Sequence, residues 1–322
     1  LMVGACACSG RSSGGASATT TPAAHTSQAV SLPAFSADSA YAAVAAQVAM
    51  GPRNPGSDAI KRCGEWIISE LGRYGADTVI VQRTTEPDPM NPSRKVPLVN
   101  IIGRFNPDAA KRLIVAAHYD TRPVADEDAD ESKRDKPIPG ANDGGSGVGV
   151  MIELARLMGL QTPGVGVDLL FVDLEDSGTS GDDASWCRGS QYFASHLPYK
   201  SAAERPQAAV VLDMVGAPGA RFHREYFSQQ ANPALVDRVW ASARAAGCAS
   251  RFPDQLGGPI LDDHLPLINA GIPAIDIVES RSDATGTFPE TWHTHADDMS
   301  SVDRSTLGAV GRTMVHFIYN YR

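Results

Sequence analysis

Three short, largely apolar runs constrain the fold of this chain more than any other feature of its sequence. They span residues 113–117, 167–172 and 208–212. A strand that is covered on both faces reads as a nearly continuous apolar run, which is typical of a parallel sheet with helices on both sides. Helical patterns separate the runs, for example over residues 147–160. This alternation predicts an α/β fold, a single domain with a central, mostly parallel mixed sheet flanked by helices.

The remaining periodic segments fit the same layered architecture. Two helices are predicted before the first of these runs, one capped by Ser36 and ended by Gly51-Pro52, the other beginning after Ser57. The other predicted elements are strands at 78–81, 98–102 and 272–278 and helices at 235–245 and 307–321. A chain of this length can bury a large core without disulfides or a structural metal.

Charge excludes one class of partner. The chain has 28 Lys and Arg against 37 Asp and Glu, which gives a net charge of −9 at pH 7. An acidic chain lacks the positive face that releases counterions from nucleic acid, and an anionic membrane does not attract it. We therefore expect no nucleic-acid partner.

Acidic residues and a histidine follow the apolar runs, where each predicted strand ends. His118 and Asp120 come directly after the first run, Glu175 and Asp176 follow the second, and Asp213 ends the third. In open α/β sheets, ligands bind beyond the carboxyl ends of the strands. We therefore expect these side chains to share one site.

Two further residues complete a candidate metal site. Asp143 lies in the segment Gly-Ala-Asn-Asp-Gly-Gly before a predicted helix, and His293 lies in Trp-His-Thr-His after a loop. Imidazole and carboxylate ligands without thiolate suit zinc, and the set is compatible with two ions about 3.5–4 Å apart. The acidic tract 125–136, by contrast, mixes both signs of charge and has no histidine, which predicts a solvated loop.

The order of these residues resembles that of the zinc exopeptidases that remove N-terminal amino acids, over residues 40–322. In that family the aspartate equivalent to Asp143 bridges two metals. The first residue of the acidic pair, Glu175, would be the general base and Asp176 a metal ligand, although glutamate is usual at the second position. His118 and Asp213 would hold the other metal.

Three segments resemble one branch more closely, the glutaminyl-peptide cyclotransferases. They are Leu-Asp-Met-Val-Gly-Ala-Pro at 212–218, Leu-Asp-Asp-His-Leu-Pro at 261–266 and Phe-Pro-Glu-Thr-Trp-His-Thr at 288–294. Trp292, directly before the metal histidine, is the most specific match. The resemblance implies an enzyme that converts the N-terminal glutamine of peptides or proteins to pyroglutamate and releases ammonia.

The resemblance also implies a role for each site residue. One zinc would be held by Asp143, Asp176 and His293. Glu175 would carry a proton from the attacking amine to the leaving nitrogen. Asp263 would hydrogen-bond that nitrogen or Glu175, or share a proton with Asp213. Two aromatic residues, Trp292 and Trp186, would wall the substrate pocket, while a second metal site or a hydrogen-bonding shell would consist of His118, Asp120 and Asp213.

Two other functions remain open at this point. A two-zinc aminopeptidase would use the same ligands with a bridging water as nucleophile, and only the Trp292-His293 step and the segments around it favour cyclisation. A catalytically inactive binding ectodomain is the other class. Such proteins lose ligands or the base, whereas Glu175 and every metal position are present here.

The first 30 residues differ from the rest in composition. Val-Gly-Ala-Cys at 3–6 resembles a lipoprotein processing site, and residues 9–30 are mostly Ser, Gly, Ala and Thr, which predicts a flexible linker. We expect a signal remnant and linker in 1–30 and a catalytic domain in 31–322. The protein would be exported, periplasmic and lipid-anchored at Cys6 to the outer membrane, with no transmembrane span in the mature chain. Disulfide pairing stays open among Cys63, Cys187 and Cys248.

Overall fold

The structure is a computed structural model that describes residues 4–10 and 31–322. Leu32–Arg322 form one compact unit. The predicted signal remnant and linker, residues 1–30, lie outside the described residues apart from residues 4–10. Among the described helices, none combines the length and the apolar character that crossing a bilayer requires.

Helices and strands alternate along most of this unit. The helices are α1 (Ala37–Ala49), α2 (Asp58–Arg73), α3 (Gly145–Leu160), α4 (Arg188–Ser195), α5 (Tyr226–Ala231), α6 (Pro233–Ala245), α7 (His264–Asn269) and α8 (Arg304–Tyr319). The strands are β1 (Thr78–Asp88), β2 (Asn91–Phe105), β3 (Arg112–His118), β4 (Gly166–Val172), β5 (Ala208–Asp213) and β6 (Ala274–Val278).

The strands form one mixed sheet with the order β1-β2-β4-β3-β5-β6. The pairs β3–β4, β3–β5 and β5–β6 are parallel, whereas β2 pairs antiparallel with both β1 and β4. The carboxyl ends of β3, β4, β5 and β6 therefore lie at the same edge of the sheet. This arrangement confirms the predicted α/β fold with a mostly parallel mixed sheet.

Both faces of the sheet are covered, as the apolar runs predict. Alternate residues of β3 point to opposite faces, so that Leu113 and Val115 join the larger core cluster and Ile114 and Ala116 the smaller one. Helices α1, α3 and α8 pack into the larger cluster, and the smaller one includes Phe193 of α4. The burial of every residue of β3 and β4 explains why these strands do not alternate in polarity.

Local sequence explains where the first two helices begin. The Ser36 side chain accepts a hydrogen bond from the backbone N–H of Ser39, and Ser57 does the same for Ile60. The structure contains each predicted helix and strand with shifted ends, and the hairpin strands β1 and β2 extend well beyond the predicted 78–81 and 98–102. The short helices α4, α5 and α7 were not predicted.

Candidate active site

The candidate site lies at the carboxyl edge of the parallel strands. His118 is the last residue of β3 and Asp213 the last of β5, while Glu175 and Asp176 follow the end of β4. Asp143 reaches the same edge from the turn before α3. The predicted strand-end residues therefore converge.

One group of side chains has the geometry of a three-ligand metal site. One potential ligand atom from each of Asp143, Asp176 and His293 lies within 4.8 Å of the others, and all three residues are buried. Nε2 of His293 is 3.1 Å from Oδ1 of Asp176 and 3.9 Å from Oδ2 of Asp143. These are the three residues predicted to hold one zinc.

A second group shares Asp143 with the first. Nε2 of His118 lies 3.1 Å from Oδ1 of Asp143 and 3.1 Å from Oδ1 of Asp213. The three ligand atoms again lie within 4.8 Å of one another. Asp143 thus stands between the two groups, in the position of a bridging carboxylate.

The donor set of the first group fits a zinc ion. It consists of one imidazole and two carboxylates, which leaves a tetrahedral ion with an open fourth position. Within the described part of the chain, Oδ2 of Asp176 is buried without a hydrogen-bond partner. Burial and the neighbouring Asp143 also raise the pKa of Asp176. A buried carboxylate oxygen without a partner is costly, and a dication at this point would offset that cost.

Backbone hydrogen bonds hold these ligands in place. Asp120 accepts from the backbone N–H groups of Glu175 and Asp176 at 3.1 and 3.2 Å, and its Oδ1 lies 3.4 Å from Nδ1 of His118. Asp297 accepts from the backbone N–H of Asp143 at 3.0 Å. Asp120 therefore lies beside His118, as predicted, whereas no pattern in the sequence indicated Asp297.

Glu175 belongs to neither of these two groups, although it lines the same cavity, and it sits in an acidic environment. Burial raises the pKa of this carboxyl well above its usual range, the nearby His118 opposes the shift, and Asp262 and Asp263 reinforce it. The Cys187 thiol donates to Oε1 of Glu175 at 3.3 Å. A raised pKa makes the ionised carboxylate a stronger proton acceptor than an exposed glutamate, and its protonated form can return the proton.

A cavity of about 290 Å³ opens onto these groups. Asp143, Glu175, Asp176 and His293 line its polar side. The Trp292 ring lies 3.7 Å from the His293 ring, centre to centre, at an interplanar angle of 24°. The apolar side of the cavity includes Trp186, Ile260, Leu261, Phe288 and Trp292. Both predicted pocket tryptophans therefore face the cavity.

The structure differs from the sequence prediction at Asp263. That side chain is 1% exposed, and its Oδ1 accepts from the Ser190 hydroxyl instead of facing the cavity. The preceding residue, Asp262, lines the cavity, and its Oδ2 has no hydrogen-bond partner among residues 4–10 and 31–322. Helix α7 begins directly after this pair. Asp262 faces the cavity, whereas Asp263 contacts Ser190 of α4.

The acidic tract 125–136 is also not wholly solvated. Oδ1 of Asp126 lies 3.1 Å from Nδ1 of His293, and Asp126 pairs with the buried Arg122. The prediction of a solvated loop holds for exposed members such as Glu127 and Glu131. The Asp126 side chain is also 42% exposed, but its carboxylate contacts His293 and Arg122 as well. The mixed charges of the tract gave no indication of which carboxylate turns inward.

Comparisons with known proteins place this geometry in a family. The model of peptidase family M28 matches residues 100–318. The chain is 26% identical to glutaminyl-peptide cyclotransferase from Bos taurus, over 84% of this chain and 78% of that protein.

Two solved structures extend the comparison. The structure of Porphyromonas gingivalis glutaminyl cyclase is 43% identical, with a TM-score of 0.83, and the match covers 88% of this chain and 97% of that one. A leucine aminopeptidase precursor from Bacteroides thetaiotaomicron is 39% identical, with a TM-score of 0.85, and the match covers 91% of this chain and 99% of that one. The names of similar proteins thus include both activities that the sequence analysis left open.

Proposed function

The chain belongs to peptidase family M28, and from this premise we propose that it is a zinc-dependent glutaminyl-peptide cyclotransferase. It converts the N-terminal glutamine of a peptide or protein to pyroglutamate and releases ammonia. The observation that carries this function is the cavity beside Glu175, where Trp292 stacks on the metal histidine His293. The likeness to glutaminyl cyclases supports it.

Cyclisation requires the transfer of one proton from the α-amine nitrogen of the substrate to its side-chain amide nitrogen. The α-amine nitrogen attacks the side-chain amide carbon, a new C–N bond forms, and the amide nitrogen leaves as ammonia. When bound, zinc at Asp143, Asp176 and His293 would polarise the amide carbonyl as a Lewis acid. Glu175 takes the proton from the attacking amine and returns it to the leaving nitrogen, for which its raised pKa is suited.

A second carboxylate holds the leaving nitrogen. We assign this role to Asp262 in place of the predicted Asp263, because Asp262 lines the cavity and Asp263 does not. Among the described residues, Oδ2 of each carboxylate is buried without a hydrogen-bond partner. Asp213 lines the same cavity, and burial raises its pKa to about 7, so that it retains a proton more readily than an exposed aspartate. Asp263 does not line the cavity, and its Oδ1 accepts a hydrogen bond from the Ser190 hydroxyl.

We propose a single catalytic zinc. His118 lies 3.1 Å from Asp143 and 3.1 Å from Asp213, and neither carboxylate keeps a buried oxygen without a hydrogen-bond partner in the described part of the chain. The other group, by contrast, contains the unpartnered Oδ2 of Asp176. The three residues His118, Asp120 and Asp213 would then act as a hydrogen-bonding shell.

The alternative is a two-zinc aminopeptidase. Its support is specific: the group His118, Asp143 and Asp213 has the spacing of a second metal site, and one similar structure is that of a leucine aminopeptidase precursor. A peptide that begins with glutamine and a matched peptide that begins with leucine separate the two. A cyclase removes ammonia from the first and leaves the second intact, whereas an aminopeptidase releases free leucine.

We also propose that the protein is exported to the periplasm and lipid-anchored to the outer membrane through Cys6. Support comes from the small residues before Cys6 and from the exposure of its side chain. In a bacterial host, Cys6→Ser should move the protein from the membrane fraction to the soluble periplasm, while Cys8→Ser should not. Equal membrane association of Cys6→Ser and the unmodified protein would refute the anchor.

A further inference from the structure

The loop between β3 and α3 contains a buried arginine that the proposed reaction does not use. Arg122 is 3% exposed. Its Nη1 donates to the backbone carbonyl oxygens of Asp176 and Gly178, each at 3.1 Å. The guanidinium carbon lies 4.7 Å from the centre of the Trp186 ring. One cation therefore contacts the backbone of a proposed metal ligand and one wall of the cavity.

The same guanidinium holds Asp126 in a fixed position. Nε and Nη2 of Arg122 donate to the two carboxylate oxygens of Asp126 at 2.9 and 2.6 Å, which is a bidentate pair. The Asp126 side chain is 42% exposed, so solvent offers it other rotamers. The two parallel hydrogen bonds select the one rotamer that points inward.

In this rotamer, Asp126 faces the proposed metal histidine. Its Oδ1 lies 3.1 Å from Nδ1 of His293, on the side of the ring away from the metal group. A carboxylate at Nδ1 keeps the proton there and leaves Nε2 as the metal-facing nitrogen. Nε2 is the atom that lies 3.1 Å from Oδ1 of Asp176.

We propose that Arg122 and Asp126 are a positioning pair that orients His293 and sets its tautomer for metal binding. The pair acts through His293 and contacts no substrate atom. Because Arg122 also holds the Asp176 backbone, it connects two of the three proposed ligands. The inference rests on the metal set of the proposed function, but not on cyclisation itself.

The same loop provides a matched control. Oδ2 of Asp128 lies 2.8 Å from Nδ1 of His295, so this pair repeats the Asp126–His293 contact two residues further along both segments. His295 belongs to neither metal group described above. Removal of either carboxylate costs the loop its contact with a histidine ring, and removal of Asp128 also takes an acceptor from the backbone N–H groups of Asp130 and His295. Only Asp126, however, faces a proposed ligand.

The test is the zinc affinity of the full chain, measured by competition with a chromophoric chelator in the absence of substrate. Asp126→Ala should bind zinc roughly 10- to 100-fold more weakly than the unmodified protein. Asp128→Ala should keep the original affinity. Asp126→Asn retains an acceptor oxygen and loses the charge. Its zinc affinity should therefore lie between that of Asp126→Ala and that of the unmodified protein.

Two results would overturn the positioning pair. One is an unchanged zinc affinity in Asp126→Ala. The other is an equal loss of affinity in Asp128→Ala, because the intact loop and not the Asp126 carboxylate would then be responsible. Since affinity is read without substrate, both results are separate from any failure of the protein to cyclise glutamine.

Discussion

At the scale of single residues, the site depends on which atoms of each side chain already have partners. Asp176 and Asp262 each keep one buried oxygen without a hydrogen bond in the described part of the chain. The carboxylates of Asp120 and Asp297 are occupied by backbone N–H groups. Asp176 and Asp262 can therefore bind metal or substrate, whereas Asp120 and Asp297 fix the backbone around the site.

Glu175 is the residue whose chemical role can be isolated most cleanly. Glu175→Gln keeps the size and most contacts of the side chain but removes the proton acceptor, so cyclisation should slow by about 100-fold or more. Zinc content should not change, because Glu175 is outside the proposed metal set. Activity is measured as ammonia release, and zinc content is measured by metal analysis of the same sample.

A matched control for this variant lies near the same site. Glu290 is exposed and three residues from His293, and Glu290→Gln changes the formal charge by the same amount. It should retain the original rate. Full activity in Glu175→Gln would show that another group moves the proton.

Most of these site residues could be predicted from the sequence because they lie next to strands or helices with a clear pattern. Those held by long loops could not. His118, Asp143, Glu175 and Asp213 sit at strand ends or helix starts, where the local pattern places them. Asp126 reaches the site through a long loop, and its orientation depends on Arg122, so no periodic pattern reports it.

At the scale of elements, the parallel strands place the functional side chains together at the carboxyl edge of the sheet. Prediction located β3, β4 and β5 within about one residue at each end, because strands covered on both faces have a strong apolar pattern. The helices α4 and α7 were missed because each spans at most 8 residues, which is too short for a stripe of period 3.6.

The contact between α3 and the sheet sets the position of that edge. A methyl group added at Gly147 would overlap the backbone carbonyl oxygen of Leu212 and meet the Ala117 side chain at 2.8 Å. Gly147→Ala should therefore force α3 away from β5 and lower the free energy of unfolding by about 1–3 kcal/mol. Chemical denaturation measures this change.

Gly72, in the last turn of α2, is the control. A methyl group there meets nothing within 4 Å. Gly72→Ala should leave stability unchanged or raise it by up to about 1 kcal/mol. If both variants unfolded at the same denaturant concentration, the close approach of α3 to β5 would not matter for stability.

At the scale of the whole molecule, Leu32–Arg322 fold as one unit. The candidate site lies at the carboxyl edge of its sheet. Part of the net charge of −9 is concentrated there, since the cavity is lined by Asp143, Glu175, Asp176, Asp213 and Asp262. Such a cluster attracts a dication and the positively charged amine of a peptide N-terminus. The same carboxylates repel a polyanion.

The most direct test of a one-zinc cyclase titrates the metal-free protein with zinc and follows two substrates by mass spectrometry. One peptide begins with glutamine, and its match begins with leucine. Loss of ammonia from the first should rise to a plateau at one equivalent of zinc, with no free leucine at any ratio. Release of leucine that grows between the first and second equivalents would contradict the account and identify a two-zinc aminopeptidase.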